Sequence, residues 1–198
     1  MTQIDCIGIS KRFNRDILFR DFTYKFKNTD KYAIIGENSS GKSTLLKIIG
    51  GVLSATKGEI NYSSDIIQSN QISYSSPEMD LLNDYSIQEL FDFHFQFKKP
   101  KISIKEQLNT SGLSNFRHKK YSNLSSGIIN KVKLTLALFT DTPVLLLDEP
   151  CTNFDLKNNQ WYFEIINNYC LNQMIIVASN DPNEYSFCKE LINIQHFK

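Results

Sequence analysis

The 198-residue sequence is short of long apolar runs: its longest, Met174 to Ala178, is five residues. A membrane span needs about 20 and the core of a secretory signal roughly 7 to 15, so the chain is read as neither crossing a bilayer nor entering the secretory route. It also lacks an excess of either charge, with 22 Lys and Arg against 21 Asp and Glu and a net charge of +1. The basic surplus that marks a nucleic-acid or anionic-membrane binder is missing, and no nucleic acid is expected as a partner. Cys6, Cys151, Cys170 and Cys188 form no Cys-x-x-Cys pair and have only His94, His118 and His196 as companions, so they are read as reduced thiols rather than as a zinc set. Repeats, low-complexity tracts and Gly/Ser linkers are absent too. One compact unit is expected, with no independent sign of a domain boundary.

What the chain does have is 41% apolar residues arranged in two regimes. Ile4 to Ile9, Phe22 to Phe26, Tyr32 to Ile35 and Gly58 to Tyr62 read as short strands, the last after a turn-like Ala-Thr-Lys-Gly. From Ser86 the pattern changes: Ser-Ile-Gln-Glu fits a capping box, and Leu90, Phe93 and Phe97 fall at helical spacing, as do Phe91 and Phe95. The same phenylalanines also alternate, which leaves a strand over Phe91 to Phe97 open. Ser103 to Leu108 offers another short helix. Beyond Tyr121 helices over Gly127 to Phe139 and Asp155 to Tyr169 alternate with apolar strands over Val144 to Leu147 and Met174 to Ser179. Apolar strands separated by helices are what a parallel sheet covered on both faces requires.

Gly36-Glu-Asn-Ser-Ser-Gly-Lys-Ser43 is a full match to G-x-x-x-x-G-K-[ST], set between the strand Tyr32 to Ile35 and the helical run Thr44 to Ile49. Gly36 and Gly41 let the backbone curl so that the amides of Glu37, Asn38, Ser39 and Ser40 and the helix start around Thr44 point at phosphate. Lys42 reaches the β and γ phosphates and Ser43 faces Mg²⁺. The other half of such a site is a carboxylate at a strand tip, and Val144-Leu-Leu-Leu-Asp148-Glu149 has that form. Asp148 is the expected metal-side group, and Glu149 the candidate general base for an attacking water.

With these motifs in this order, the chain resembles the ATP-binding subunit of an ABC transporter, from about Ile4 to its end. Leu124-Ser-Ser-Gly-Ile128 is similar to the family's Leu-Ser-Gly-Gly-Gln signature: Ser125 and Gly127 match, whereas Ser126 and Ile128 depart from it. Asp155 resembles the acidic D-loop at the family's dimer contact, and Phe13 falls where the family stacks an aromatic on adenine. The resemblance implies an α/β P-loop NTPase fold with a RecA-like core, a mostly parallel sheet, an N-terminal antiparallel β portion and a helical insertion. Residues 1–78 and 124–198 would form the nucleotide-binding core and 79–123 the helical subdomain. It also implies ATP and Mg²⁺ as ligands and an ATP-dependent homodimer in which Ser125, Ser126 and Gly127 of one copy meet the nucleotide held by the other. Separately encoded transmembrane subunits would be driven from the cytoplasmic face of the membrane.

Two positions depart from the family pattern. The Q-loop glutamine aligns with Pro77, which has neither a polar side chain nor an N–H, and the switch histidine is Asn180, whose amide donates a hydrogen bond but takes no proton at neutral pH. Hydrolysis is expected to persist, with Lys42, Glu149 and Asn180 around the γ-phosphate. The alternative is an ATP-dependent dimerising regulatory module with weak or no turnover. The phenylalanine-rich helix is read as packing of the helical subdomain or as a docking groove for a membrane partner. The lysines at 98, 99, 101, 119 and 120, with Arg117, are read as a solvated face or as neighbours of anionic headgroups.

Overall fold

A computed structural model of the chain describes residues 2–27, 30–63 and 71–198. These fall into two compact units, the first made of Met1–Tyr74, Pro143–Glu149 and Asn172–Lys198, the second of Ser75–Thr142 and Pro150–Leu171. The second therefore takes in two long helices outside the segment 79–123 expected to be helical.

The first unit carries an antiparallel sheet of β1 (Gln3–Phe13), β2 (Asp16–Lys27) and β4 (Lys57–Tyr62), ordered β2-β1-β4. β1 and β2 run further than the apolar pattern suggests because a tight turn joins them: Phe13 pairs with Asp16, and Asn14 between them takes the left-handed conformation, φ 54°, which asparagine tolerates at low cost. A five-stranded sheet has the order β5-β6-β7-β3-β8, from β3 (Lys31–Ile35), β5 (Ile72–Ser75), β6 (Val144–Asp148), β7 (Met174–Ala178) and β8 (Glu190–Asn193). β6 pairs parallel with β7, and β3 pairs parallel with β7 and β8. Every residue of β6 and β7 is buried, as expected for central strands covered on both faces. β8 escapes the sequence reading because it is a four-residue edge strand with Glu190 and Leu191 exposed, too short for a periodicity to register. α1 (Lys42–Ile49) buries Leu45, Leu46, Ile48 and Ile49 in one apolar cluster with Phe19, Phe22 and Phe26 of β2 and Ile34, Leu146 and Ile176 of the second sheet.

The second unit holds α2 (Ile87–Phe97), α3 (Ile104–Thr110), α4 (Ser126–Leu138) and α5 (Leu156–Tyr169). The strand option over Phe91 to Phe97 is not realised. A capping box decides for helix: the Ser86 N–H donates to Glu89 Oε2 at 2.8 Å and the Glu89 N–H to Ser86 Oγ at 3.3 Å, an arrangement strands do not offer. Ser103 and Glu106 repeat the box on α3. α2 buries Ile87, Leu90 and Phe91 against Leu108, Val132 and Leu136, while Phe93 and Phe97 remain 43% and 65% exposed. The lysines do not form one free basic face. Lys99 pairs with Asp141 at 3.0 Å, and Lys101 donates to the Leu138 carbonyl at 2.6 Å.

Candidate functional site

Gly36-Glu-Asn-Ser-Ser-Gly-Lys-Ser43 leaves β3 and enters α1, and its backbone is the kind only such a sequence can hold. Gly36 sits at φ 151° and Gly41, the N-cap of α1, at φ 105°. A Cβ at Gly41 would stand 2.8 Å from Leu18 Cγ, and one at Gly36 would stand 2.9 Å from Ser40 Oγ. Both glycines are thus required by conformation, and a side chain at either would also have to displace its neighbour. Lys42 lies inside the loop, 4% exposed, and its ammonium donates to the carbonyls of Gly36 and Glu37, both at 2.9 Å. Two of its three donors hold the curl of the loop, and the third finds no protein acceptor among the described residues. Burial lowers the Lys42 pKa from the ordinary lysine value, and the charges of Glu149 and Asp148 oppose that shift. An ammonium poor in solvation and short of one partner is well suited to a phosphate.

β6 delivers the acidic half. Ser43 Oγ donates to Asp148 Oδ1 at 2.8 Å, joining positions 105 residues apart, and Asp148 is buried, 3% exposed. A hydroxyl and a carboxylate side by side at the mouth of the loop are hard oxygen donors of the type Mg²⁺ prefers. The next residue, Glu149, takes φ 42°, and its N–H donates to the Ala178 carbonyl at 2.9 Å. A non-glycine residue there costs about 1 to 2 kcal/mol, and strain of this kind is found where a functional site holds the backbone in place. Asn180, two residues past β7, donates from Nδ2 to Asn38 Oδ1 of the loop at 2.8 Å. Loop, strand tip and switch position therefore meet in one site. An open cleft of about 510 Å³ lined by Gly36, Glu37, Asn38 and Asn180 adjoins it. Ser40 Oγ is buried there without a hydrogen-bond partner among the described residues, a polar group that a phosphate oxygen would satisfy. Phe13 ends β1 with its ring half exposed and the Lys11 ammonium 5.0 Å from its centroid. Ser39 holds φ 61° within the loop, and Thr44 lies in the first turn of α1.

In the second unit, Ser125 is the N-cap of α4 but makes no side-chain capping bond, so capping does not account for it. Ser126 and Gly127 form the first turn of this 13-residue helix. A Cβ on Gly127 would come within 3.1 Å of the Asn153 carbonyl, so the close approach keeps that position small. Asp155 caps α5, accepting from the Asn158 N–H at 2.8 Å. Two residues went unread in the sequence. Asn130, buried in α4, donates to the carbonyls of Pro150 and Thr152 at 3.0 and 2.9 Å. Lys133, also buried, donates to the Pro77 carbonyl at 2.6 Å. Nothing local marks either one in the sequence, because α4 also carries Lys131 and Thr135.

Residues 19–152 match the sequence pattern of the family described as ABC transporter. The chain belongs to that family. It is 33% identical over 151 residues to the spermidine/putrescine import ATP-binding protein PotA of Borreliella afzelii, a stretch covering 69% of this chain and 42% of that protein. It is 29% identical over 170 residues to the energy-coupling factor transporter ATP-binding protein EcfA1 of Thermotoga maritima, covering 80% of this chain and 65% of the relative. Among solved structures, a dimeric bacterial ABC transporter cassette superposes with a TM-score of 0.81 at 21% identity, covering 96% and 94% of the two chains. An ABC transporter ATP-binding protein from Pyrococcus furiosus gives 0.82 at 21% identity and 99% of both chains. These likenesses establish the fold of an ABC cassette, α/β with a parallel five-stranded sheet and an antiparallel sheet. The chain spans less than half the length of its polyamine-import relative. Among the described residues no helix is long and apolar enough to cross a membrane.

Proposed function

We propose that this ABC cassette binds ATP with Mg²⁺, hydrolyses it, and as an ATP-dependent homodimer drives separately encoded transmembrane subunits from the cytoplasmic face of the membrane. The observation that carries the reading is the Ser43–Asp148 hydrogen bond beside the buried Lys42: a phosphate cradle and a cation-binding oxygen pair within one site. Backbone amides from Glu37 to Ser43 and the Lys42 ammonium hold the β and γ phosphates. Ser43 and Asp148 would hold Mg²⁺, which when bound neutralises charge on the phosphate oxygens. Glu149 accepts the proton of the attacking water and Asn180 donates to the γ-phosphate, while Phe13 stacks on the base. The Ser125 hydroxyl, which makes no capping bond, and the amides of Ser126 and Gly127 at the start of α4 are suited to a phosphate presented by the other copy. Relatives named as polyamine-import and energy-coupling factor ATP-binding proteins support the transport reading.

The second reading, an ATP-dependent dimerising regulatory module, is favoured by Pro77 and Asn180, which leave the Q-loop without an amide side chain and the switch without a titrating one. Co-purification from solubilised membranes separates the two: the transport reading expects the chain to bring down a multi-spanning membrane protein in an ATP-sensitive complex, and recovery of the chain alone from membranes and cytosol overturns it.

A further inference from the structure

A second cavity, of about 480 Å³, opens on the antiparallel sheet. Arg12 of β1, Arg20 of β2 and Lys57 of β4 reach it from three strands, with Ile17 and the fully buried Phe19 giving it an apolar wall. Neither Phe13 nor any residue of the loop Gly36 to Ser43 lines it. Four cations, Lys11 included, face one acid, Asp21, a local balance of +3 in a chain whose overall charge is +1. Lys11 is engaged, donating to the Ser54 carbonyl at 2.8 Å and lying over Phe13. The guanidinium groups of Arg12 and Arg20 and the ammonium of Lys57 have no acceptor among the described residues.

The backbone is built to put these charges there. In a regular strand Lys11 and Arg12 would face opposite sides of the sheet. The β1–β2 pairing instead shifts register between Ile9 and Lys11 and again between Lys11 and Arg12, so that Lys11 lies opposite Phe19 and Arg12 opposite Ile17. Irregularities of this kind re-aim side chains, here bringing both cations to one cavity. The segment is then fixed by side-chain oxygens: Arg12 N–H donates to Thr56 Oγ1 at 3.1 Å and Asp21 N–H to Ser10 Oγ at 2.9 Å. Three unneutralised cations gathered from three strands repel one another, and a shared anion removes that cost. Two guanidinium forks and an ammonium suit the several oxygens of a phosphate better than a single carboxylate.

We propose that this cavity binds a multiply charged phosphate group, distinct from the nucleotide held by the loop. The group could be carried by a free small molecule or by a lipid headgroup. The test uses the full chain with Lys42→Ala to weaken phosphate binding at the loop, and inorganic pyrophosphate as the probe in isothermal titration calorimetry. One site is expected, weakened by salt, unaffected by saturating adenosine, and reduced in affinity at least about tenfold by Arg12→Gln with Arg20→Gln. Arg12→Lys with Arg20→Lys should recover part of the affinity, and an unchanged thermal midpoint in both pairs shows the sheet intact. Flotation with vesicles containing phosphatidic acid, whose phosphomonoester carries up to two charges, lost in the Gln pair, would assign the group to a lipid; pyrophosphate binding without flotation assigns it to a free anion. The proposal is overturned if adenosine displaces the probe, if the Gln pair binds it as well as the parent, or if neither probe binds at all.

Discussion

Asn130 offers the sharpest check on how the second unit is assembled. Its buried amide donates two hydrogen bonds, to the Pro150 and Thr152 carbonyls, and so ties α4 to the segment that follows Glu149 in the chain. Asn130→Ala removes both donors and introduces none. Each buried bond contributes about 1 kcal/mol net, with a further desolvation cost where a carbonyl loses its donor, so the loss is about 2 to 3 kcal/mol. In a chain of this size each kcal/mol moves the thermal midpoint by about 2 to 4 °C, which predicts a fall of about 5 to 10 °C followed by circular dichroism without nucleotide. Asn130→Asp should cost more, because a carboxylate would face two carbonyls in a buried position. ATP turnover should fall with the midpoint even when assayed well below it, since the segment beyond Glu149 loses its anchor. A fall of less than 2 °C in the alanine variant would refute the assignment of this amide as the tie.

Three further outcomes follow from the site and its surroundings. Lys42→Met abolishes hydrolysis and, besides removing the two bonds to the Gly36 and Glu37 carbonyls, flattens the pH dependence of stability. Burial depresses the Lys42 pKa, so the unfolded chain holds that proton more tightly, stability rises with pH between the depressed value and the ordinary one, and the variant loses this alkaline rise; a Met variant that keeps the rise in a pH series of melts would contradict it. His94, whose Nε2–H donates to Thr140 Oγ1 at 2.8 Å, is pushed down by burial from 6.5 to about 4. Its contribution is therefore complete above pH 6.5 and is lost as the pH falls toward 4, so melts over that range should drop less steeply in His94→Gln. Asn180→Ala, which breaks the bond to Asn38, should lower kcat about tenfold or more. The wild-type pH profile should show no inflection from the switch position, whereas Asn180→His should introduce one near neutrality.

The phosphate loop and the Asp148-Glu149 tip were legible because each is contiguous in sequence and each sits where a strand ends. The capping box at Ser86 identified α2 despite phenylalanines whose spacing fits two periods. What stayed hidden is long-range. The Asn180–Asn38 bond joins positions 142 residues apart, and nothing local marks a carboxamide as the partner of another. Lys133 and Asn130 find their carbonyl acceptors at Pro77, Pro150 and Thr152, well away from α4 in the chain. Asp155 resembles a dimer-contact residue and is in this chain the cap of α5. Ser125, which a capping preference would explain, leaves its hydroxyl out of any cap. The docking option for α2 rested on exposed phenylalanine, and Phe93 and Phe97, packed on each other with ring centroids 5.3 Å apart, do remain at the surface beside the buried Leu90 and Phe91.

The most direct test of the account is steady-state ATP hydrolysis with Mg²⁺ by the wild-type chain beside Glu149→Gln. The account predicts measurable turnover in the wild type, lost by a factor of about a hundred or more when the base is neutralised, with Glu149→Gln accumulating as an ATP-bound dimer. Equal turnover in the two proteins would contradict the assignment of Glu149 and, with it, the hydrolytic cycle built on this site.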